Sequence, residues 1–158
     1  MSNNPPQIRP ASVADVSRLA AWNAAMAEET EGKPLDLATL EAGVRGVFDN
    51  AARGFYLVAE LDGEAVGGLL VTYEWSDWRN GSFWWIQSVY VARQARRRGV
   101  FRALHAAVEE RARAAGAVGV RLYVELENTR AQQTYASLGM QRCHYHMYET
   151  VFSVGNLE

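Results

Sequence analysis

Five of the chain's fifteen arginines, Arg93, Arg96, Arg97, Arg98 and Arg102, fall within ten residues, while the only lysine, Lys33, lies elsewhere. They follow an apolar run ending in Val89-Tyr90-Val91 and lead into Gly99-Val100-Phe101-Arg102-Ala103-Leu104, where the apolar spacing becomes helical. On charge alone, a solvated arginine-rich turn is the simpler reading. The order strand, turn, helix adds a geometric reason for the cluster. The first amides of a helix have no intrahelical acceptor and lie at the positive end of its dipole, so those near Arg98 to Arg102 point beyond the strand's end. Phosphate suits such a place, and guanidiniums around it add charge-assisted bonds. There is no G-x-x-x-x-G-K-[S/T] loop, and Gly67-Gly68 lies inside a strand pattern rather than in a dinucleotide turn. With 16 Lys+Arg against 18 Asp+Glu the formal charge is −2, so the chain outside this segment carries about −7. One basic segment in a mildly acidic protein points to a discrete anion site, and no nucleic-acid partner is expected.

A second constellation runs from Asn128 to Met140. Asn128 is an Asx-type helix cap, and Ala131, Tyr135 and Leu138 share one helical face. Tyr135 reads as a core aromatic whose hydroxyl needs a partner if buried. Trp75, Trp78, Trp84 and Trp85 crowd into eleven residues. At least half of them read as sheet packing or interface, while any that face a cleft could enclose a cationic or ring-bearing ligand. The run Glu28-Glu29-Thr30-Glu31 could attract a positively charged amine or merely coat a lid. His105 reads as a polar residue on a helix face. His144 and His146 share a strand face without a supporting carboxylate or cysteine arrangement, so no metal is expected.

The elements that position these residues follow from the rest of the chain. At 158 residues, 49% hydrophobic and 22% charged, the sequence fits one domain, 1–158, with a real core and a flexible start over residues 1–6. The single Cys143 allows no intramolecular disulfide. The first residues lack an export signal and no stretch is long and apolar enough to span a bilayer, so the cytoplasm is the default location and no membrane partner is expected. A short strand at 7–10 precedes helices over 13–29 and 37–50, the first with Ser12 and Asp15 at its start and the second capped by Asp36. Strands over 55–61, 65–73 and 83–91, joined through Asp62-Gly63 and Asn80-Gly81, predict an antiparallel meander. Then come a helix over 99–115, a strand over 118–124, a short helix over 129–138 closed by Gly139, and a last strand from 140 to about 151. Strands mixed with helices in this order predict an α/β fold, a mixed sheet with helices on its faces.

In this setting the sequence resembles the GNAT superfamily of N-acetyltransferases. Arg96-Arg97-Arg98-Gly99-Val100-Phe101 matches the family's acetyl-CoA signature Q/R-x-x-G-x-G/A except at Phe101, which replaces a small residue. The ring of Phe101 is expected in the helix-packing face. Asn128 to Met140 fills every fixed position of the family's N-x-x-A-x-x-x-Y-x-x-x-G-[F/M] segment, one strand after the helix that follows the phosphate turn. The likeness is good from about Phe55 to Tyr148; before that it is limited to a strand and two helices.

The resemblance implies a central sheet of six or seven strands, with a splay between the strand ending at Val91 and the next parallel one, and about four helices. Acetyl-CoA is the implied co-substrate. Its pantetheine would lie along Val89, Tyr90 and Val91, its phosphates at Arg96, Arg97, Arg98, Gly99, Val100, Phe101 and Arg102, and Asn128 would contact the pantetheine arm. An unpaired Val89 amide would polarise the thioester carbonyl, and Tyr135 would protonate the departing thiolate. Many relatives, polyamine-type acetyltransferases among them, carry Glu at the position of Gln87 and often Asp or Ser at that of Ser88; Gln87 can orient an acceptor but not act as a base. Glu125, Glu127, Glu28, Glu29 and Glu31 are the candidate bases by position, with a water relay as the alternative. Glu28, Trp85, Gln87 and Glu125 are the implied acceptor contacts.

The reading is therefore an N-acetyltransferase acting on a primary amine, from a small molecule or a peptide, by direct attack in a ternary complex. A non-catalytic acyl-CoA-binding sensor or interaction module of the same fold is the alternative, and its support is the Gln at position 87. Exposed tryptophans or an available edge strand would favour a homodimer.

Overall fold

The computed structural model describes residues 3–152, which form two compact units, one running to Tyr123 and one beginning at Val124. The first two residues of the expected flexible start lie outside the described residues.

The first unit is built on a five-stranded sheet in the order β1 (Gln7–Pro10), β2 (Gly54–Leu61), β3 (Glu64–Ser76), β4 (Gly81–Val91) and β5 (Gly119–Arg121). β1 to β4 are antiparallel neighbours and β5 runs parallel to β4. Asp62 and Gly63, with φ of 51° and 82°, form the two-residue turn whose left-handed backbone matches the twist of the paired strands. The predicted meander is present.

Helices cover both faces. α1 (Val16–Glu31) and α2 (Leu37–Asp49) pack Val16, Leu19, Ala20 and Val44 against Tyr56 and Val58. α3 (Val100–Ala114) packs Val100, Leu104, Val108 and Ala112 against Leu57, Leu69, Val71 and Ile86. Covered on both sides, β2 reads as a nearly unbroken apolar run. Local chemistry sets the helix ends. Asp36 accepts the Thr39 amide at 3.1 Å, and Gly32 closes α1 in the left-handed conformation at φ 62°. Buried Asp15 accepts from the Ser12 amide at 2.8 Å and also holds Arg9 and Arg18.

The second unit contains α4 (Thr129–Ser137), capped by the Asn128 side chain on the Ala131 amide at 3.1 Å and followed by Gly139 at φ 88°.

Two sequence expectations are corrected. The strand expected over 118–124 is reduced to Gly119–Arg121, and residues 140–151 form no strand, so the described sheet has five strands rather than six or seven. Alternation of apolar residues permits a strand, but a strand exists only where its amides and carbonyls meet a neighbour. Residues 140–152 enter no strand ladder among the described residues. His144 and His146 consequently do not share a strand face.

Candidate functional site

The C-terminal half of β4 organises the site. Leu70 is opposite Ser88 whereas Val71 is opposite Ile86, so Gln87 is an extra residue on β4, a bulge. The pairing of β4 with β5 covers only Phe83 to Trp85, ending just before that bulge. Beyond it β4 has no ladder partner on that side among the described residues, and a bulge, which adds twist and interrupts a ladder, stands where the pairing ends.

Backbone alternation fixes what the opened edge presents. The Ala92 amide donates to the Val66 carbonyl at 2.8 Å, which makes Gly67 and Val91 a pair whose own amides and carbonyls face away from each other. Two residues back, Leu69 and Val89 fall in the same class. The main-chain groups of Val89 and Val91 therefore point away from β3, to the side on which β5 no longer pairs with β4. Those of Tyr90 pair with Gly68.

Past Val91 the chain makes one short helical turn, Arg93–Ala95, that buries Ala95, and then passes through Arg97 at φ 64° and Gly99 at φ 76°. Gly99 supplies the left-handed start of α3 at little steric cost. Ala103 donates to the Gly99 carbonyl at 3.0 Å, and the amides of residues 100–102 lie ahead of that first helical bond, at the positive end of the helix. Arg97, Arg98 and Arg102 are exposed around them, while Val100 is buried. The ring of half-buried Phe101 lies 6.1 Å from that of His105, one turn further along α3. His105 is not a surface residue: it is 4% exposed, and burial pushes its imidazole below the usual range.

Two glycines let the helices come this close. A Cβ on Gly67 would stand 2.7 Å from the Tyr90 carbonyl and 3.4 Å from Val100 Cγ1, and one on Gly68 would stand 3.2 Å from Trp22 Cζ3 and 3.3 Å from Leu19 Cδ2. Thus Gly67 admits the start of α3 on one face and Gly68 admits α1 on the other. On the α1 side a shallow pocket is lined by Trp22, Asn23, Tyr56, Ser88, Val89 and Tyr90.

Glu29, near the end of α1, reaches the arginine segment. Its Oε1 accepts from the Tyr90 hydroxyl at 3.1 Å and Arg93 Nε at 3.0 Å, and its Oε2 from Arg96 Nη2 at 2.6 Å. Arg96 also donates from Nε to the outward carbonyl of Val91 at 2.9 Å and stacks over the Tyr90 ring. Glu28 is exposed beside Glu29, Gln87 is exposed at the bulge, and half-buried Trp85 lies against Tyr123 with ring centroids 6.1 Å apart. Trp84 is core, whereas Trp75 and Trp78 are exposed. Asn128, Tyr135 and exposed Glu125 belong to the second unit, where Gln132 Nε2 holds the Glu125 and Leu126 carbonyls at 3.0 Å each. Burial raises the phenol of Tyr135 above its usual range, so it keeps its proton at neutral pH.

The sequence matches the family model described as the acetyltransferase (GNAT) family over residues 18–140. The chain belongs to this family. A crystal structure of a possible acetyltransferase from Clostridium difficile 630 is 42% identical, with a TM-score of 0.88 over 96% of this chain and 100% of that one. An integron cassette protein from the mobile metagenome of Cole Harbour Salt Marsh is 17% identical with a TM-score of 0.83, over 94% of this chain and 92% of that one. A ribosomal-protein-alanine N-acetyltransferase from Brucella melitensis biovar Abortus 2308 is 16% identical with a TM-score of 0.74, over 93% and 99%. These last two likenesses are of fold alone. A search of curated proteins finds no match.

In this GNAT chain the candidate bases are unequal. Arg96, then Arg93 and Tyr90, hold the Glu29 carboxyl down at about 2, so it stays ionised and occupied by donors. Glu31 lies 3.6 Å from Lys33, and Glu28, Glu125 and Glu127 are exposed. Among the described residues no group of three or more His, Cys, Asp and Glu side chains could hold a metal ion, and no helix is long and apolar enough to cross a membrane.

Sequence reasoning missed the bulge, the two glycines and the engagement of Glu29. The bulge left a trace: Trp84, Ile86, Val89 and Val91 all pack toward α3, so an alternation of two is broken by one step of three. Two adjacent glycines within a strand likewise signal close approach of neighbours.

Proposed function

We propose that the protein is an acetyl-CoA-dependent N-acetyltransferase that passes the acetyl group directly to a primary amine in a ternary complex. The observation that carries this reading is the edge of β4. The outward amides and carbonyls of Val89 and Val91 are taken up by neither β3 nor β5, and they lead straight to the helix start at Gly99. This donor set fits the ligand's chemistry. A pantetheine arm carries two amides that can pair like a strand, and a pyrophosphate suits helix-start amides flanked by arginines.

Acetyl-CoA supplies a thioester whose carbonyl carbon is open to a nucleophile. The Val89 amide donates to the carbonyl oxygen as charge grows there. The neutral amine forms its N–C bond as the C–S bond breaks, and the Tyr135 phenol gives its proton to the sulfur. The proton lost by the amine passes through water and restores the phenol. Gln87 at the bulge orients the acceptor, with Trp85, Glu28 and Glu125 as further acceptor contacts and Asn128 contacting the pantetheine. Holding donor and amine together is itself a large part of the acceleration.

A thiol-release screen of amine classes with acetyl-CoA tests the reading, with Tyr135→Phe beside the native protein. The expected result is turnover with at least one amine class, a kcat lower by roughly 10²-fold or more in the variant, and acetyl-CoA affinity largely kept. Tight acetyl-CoA binding with no thiol release from any amine would overturn catalysis in favour of a sensor.

A further inference from the structure

Glu29 gathers three donors that belong to two consecutive parts of the site: Tyr90 at the end of β4, and Arg93 and Arg96 in the turn that follows. Through Arg96 the same contact reaches the carbonyl of Val91. One carboxylate on α1 therefore clamps the outward edge of β4 to the first residue of the 96–101 turn. Sequence separations of 61, 64 and 67 residues make this a tertiary contact rather than a local cap. The Glu29 side chain is 21% exposed, more enclosed than the arginines it holds, at 74% and 43%. The Tyr90 ring also lies near that of Trp22 of α1, with centroids 6.3 Å apart.

We propose that Glu29 is a positioning residue for the phosphate turn: through Arg93 and Arg96 it fixes the path from Tyr90 to Gly99, so that the amides at the start of α3 are aimed before any ligand arrives. The proposal rests on the reading of that turn as the cofactor-phosphate site, and it gives Arg96 an orienting duty within it. A carboxylate is required because all three partners are donors. A carboxamide would keep one accepting oxygen and turn N–H groups toward a guanidinium.

Glu29→Gln, Arg96→Gln and the double variant test this, with CoA affinity measured by calorimetry, kcat at saturating acetyl-CoA, and trypsin cleavage after Arg97 and Arg98 in the ligand-free protein. Glu29→Gln is expected to weaken CoA binding about tenfold, as loss of a charge-assisted cluster on a preformed site would. It should also speed cleavage in the turn several-fold and leave kcat within about twofold, since K for the cofactor and not the chemical step depends on turn order. Because Glu29 acts through Arg96, the double variant should bind CoA no more weakly than the worse single variant. Unchanged CoA affinity, additive losses, or a fall in kcat with a displaced acid limb of the pH profile would each overturn the proposal, the last by making Glu29 a base. If the native protein does not bind CoA, the phosphate reading itself fails. The cleavage rates then still decide whether Glu29 orders the turn: faster cleavage in Glu29→Gln supports that, and unchanged cleavage refutes it.

Discussion

Replacing Val89 by proline removes one amide hydrogen and nothing from the β3–β4 ladder, because that amide points to the opened edge of β4. Proline is tolerated where a strand's N–H faces away from its neighbour, and Ser88 before it is already extended. Tyr90→Pro, one residue on, deletes the bond to Gly68 in the middle of the sheet. The two variants should therefore separate. Val89→Pro should remain folded, as judged by circular dichroism and cooperative melting, while Tyr90→Pro should lose much of its stability. If the Val89 amide is the donor to the thioester oxygen, its loss should lower kcat by about 10²- to 10³-fold, the effect of one missing oxyanion donor, or roughly 2.7–4 kcal/mol. Val89→Ala is the control for the side chain, which packs partly against the core; it keeps the amide and should keep kcat within a few-fold. Steady-state thiol release at saturating acetyl-CoA measures all three. A folded Val89→Pro protein with kcat within about threefold of Val89→Ala would refute the assignment, since the expected loss exceeds that margin at least tenfold.

Other expectations concern the frame around that edge. Arg9 foremost, with the Ser12 amide and Arg18, holds the buried Asp15 carboxyl at about 2 against an ordinary 3.8. A depressed pKa contributes stability that is complete above the unfolded value and fades as pH falls toward 2, so Asp15→Asn should cost roughly 2 kcal/mol near neutrality and flatten the acid limb of stability against pH. Gly68→Ala forces a Cβ to 2.9 Å from the Leu57 carbonyl and 3.2 Å from Trp22. An overpacking cost of about 1–3 kcal/mol should lower Tm by several degrees and alter Trp22 fluorescence; an unchanged Tm would mean that α1 gives way freely. Gly99→Ala meets no atom within 4 Å but must hold φ at 76°, so it should cost about 1 kcal/mol of stability and weaken CoA binding, measured by melting and calorimetry.

What could be read from the sequence was what neighbouring residues decide among themselves. Asp36 as a cap, Asp62-Gly63 as a hairpin turn, Gly139 as a helix stop and the run from Val91 through Gly99 into a helix are all local, and each stands where the sequence puts it. The strand over 140–151 failed for the complementary reason: its pattern is right, but pairing is a property of two segments. The place of His105 was missed in the same way. Its helix was legible, yet a polar residue at one turn from Phe101 gives no sign that it is 4% exposed. Glu29 is the clearest case, for an acidic residue at a helix end reads as solvated until three donors from 61 to 67 residues away are found on it.

That contact also changes what the arginine segment means electrostatically. As a sequence it is five positive charges in ten residues. In the fold, Arg93 and Arg96 share one carboxylate from α1, so part of the excess is cancelled at the end nearer β4. Arg97, Arg98 and Arg102 flank the start of α3, where the backbone adds its own partial positive charge. The positive charge of the turn is therefore partly offset at its β4 end. A ligand with its negative charge concentrated at one end would be drawn to the helix start, and its neutral amide-bearing arm would meet the opened edge at Val89 and Val91. A uniformly charged polymer such as nucleic acid would gain less from such an arrangement, because one carboxylate offsets part of the charge at the β4 end and the rest of the chain carries about −7.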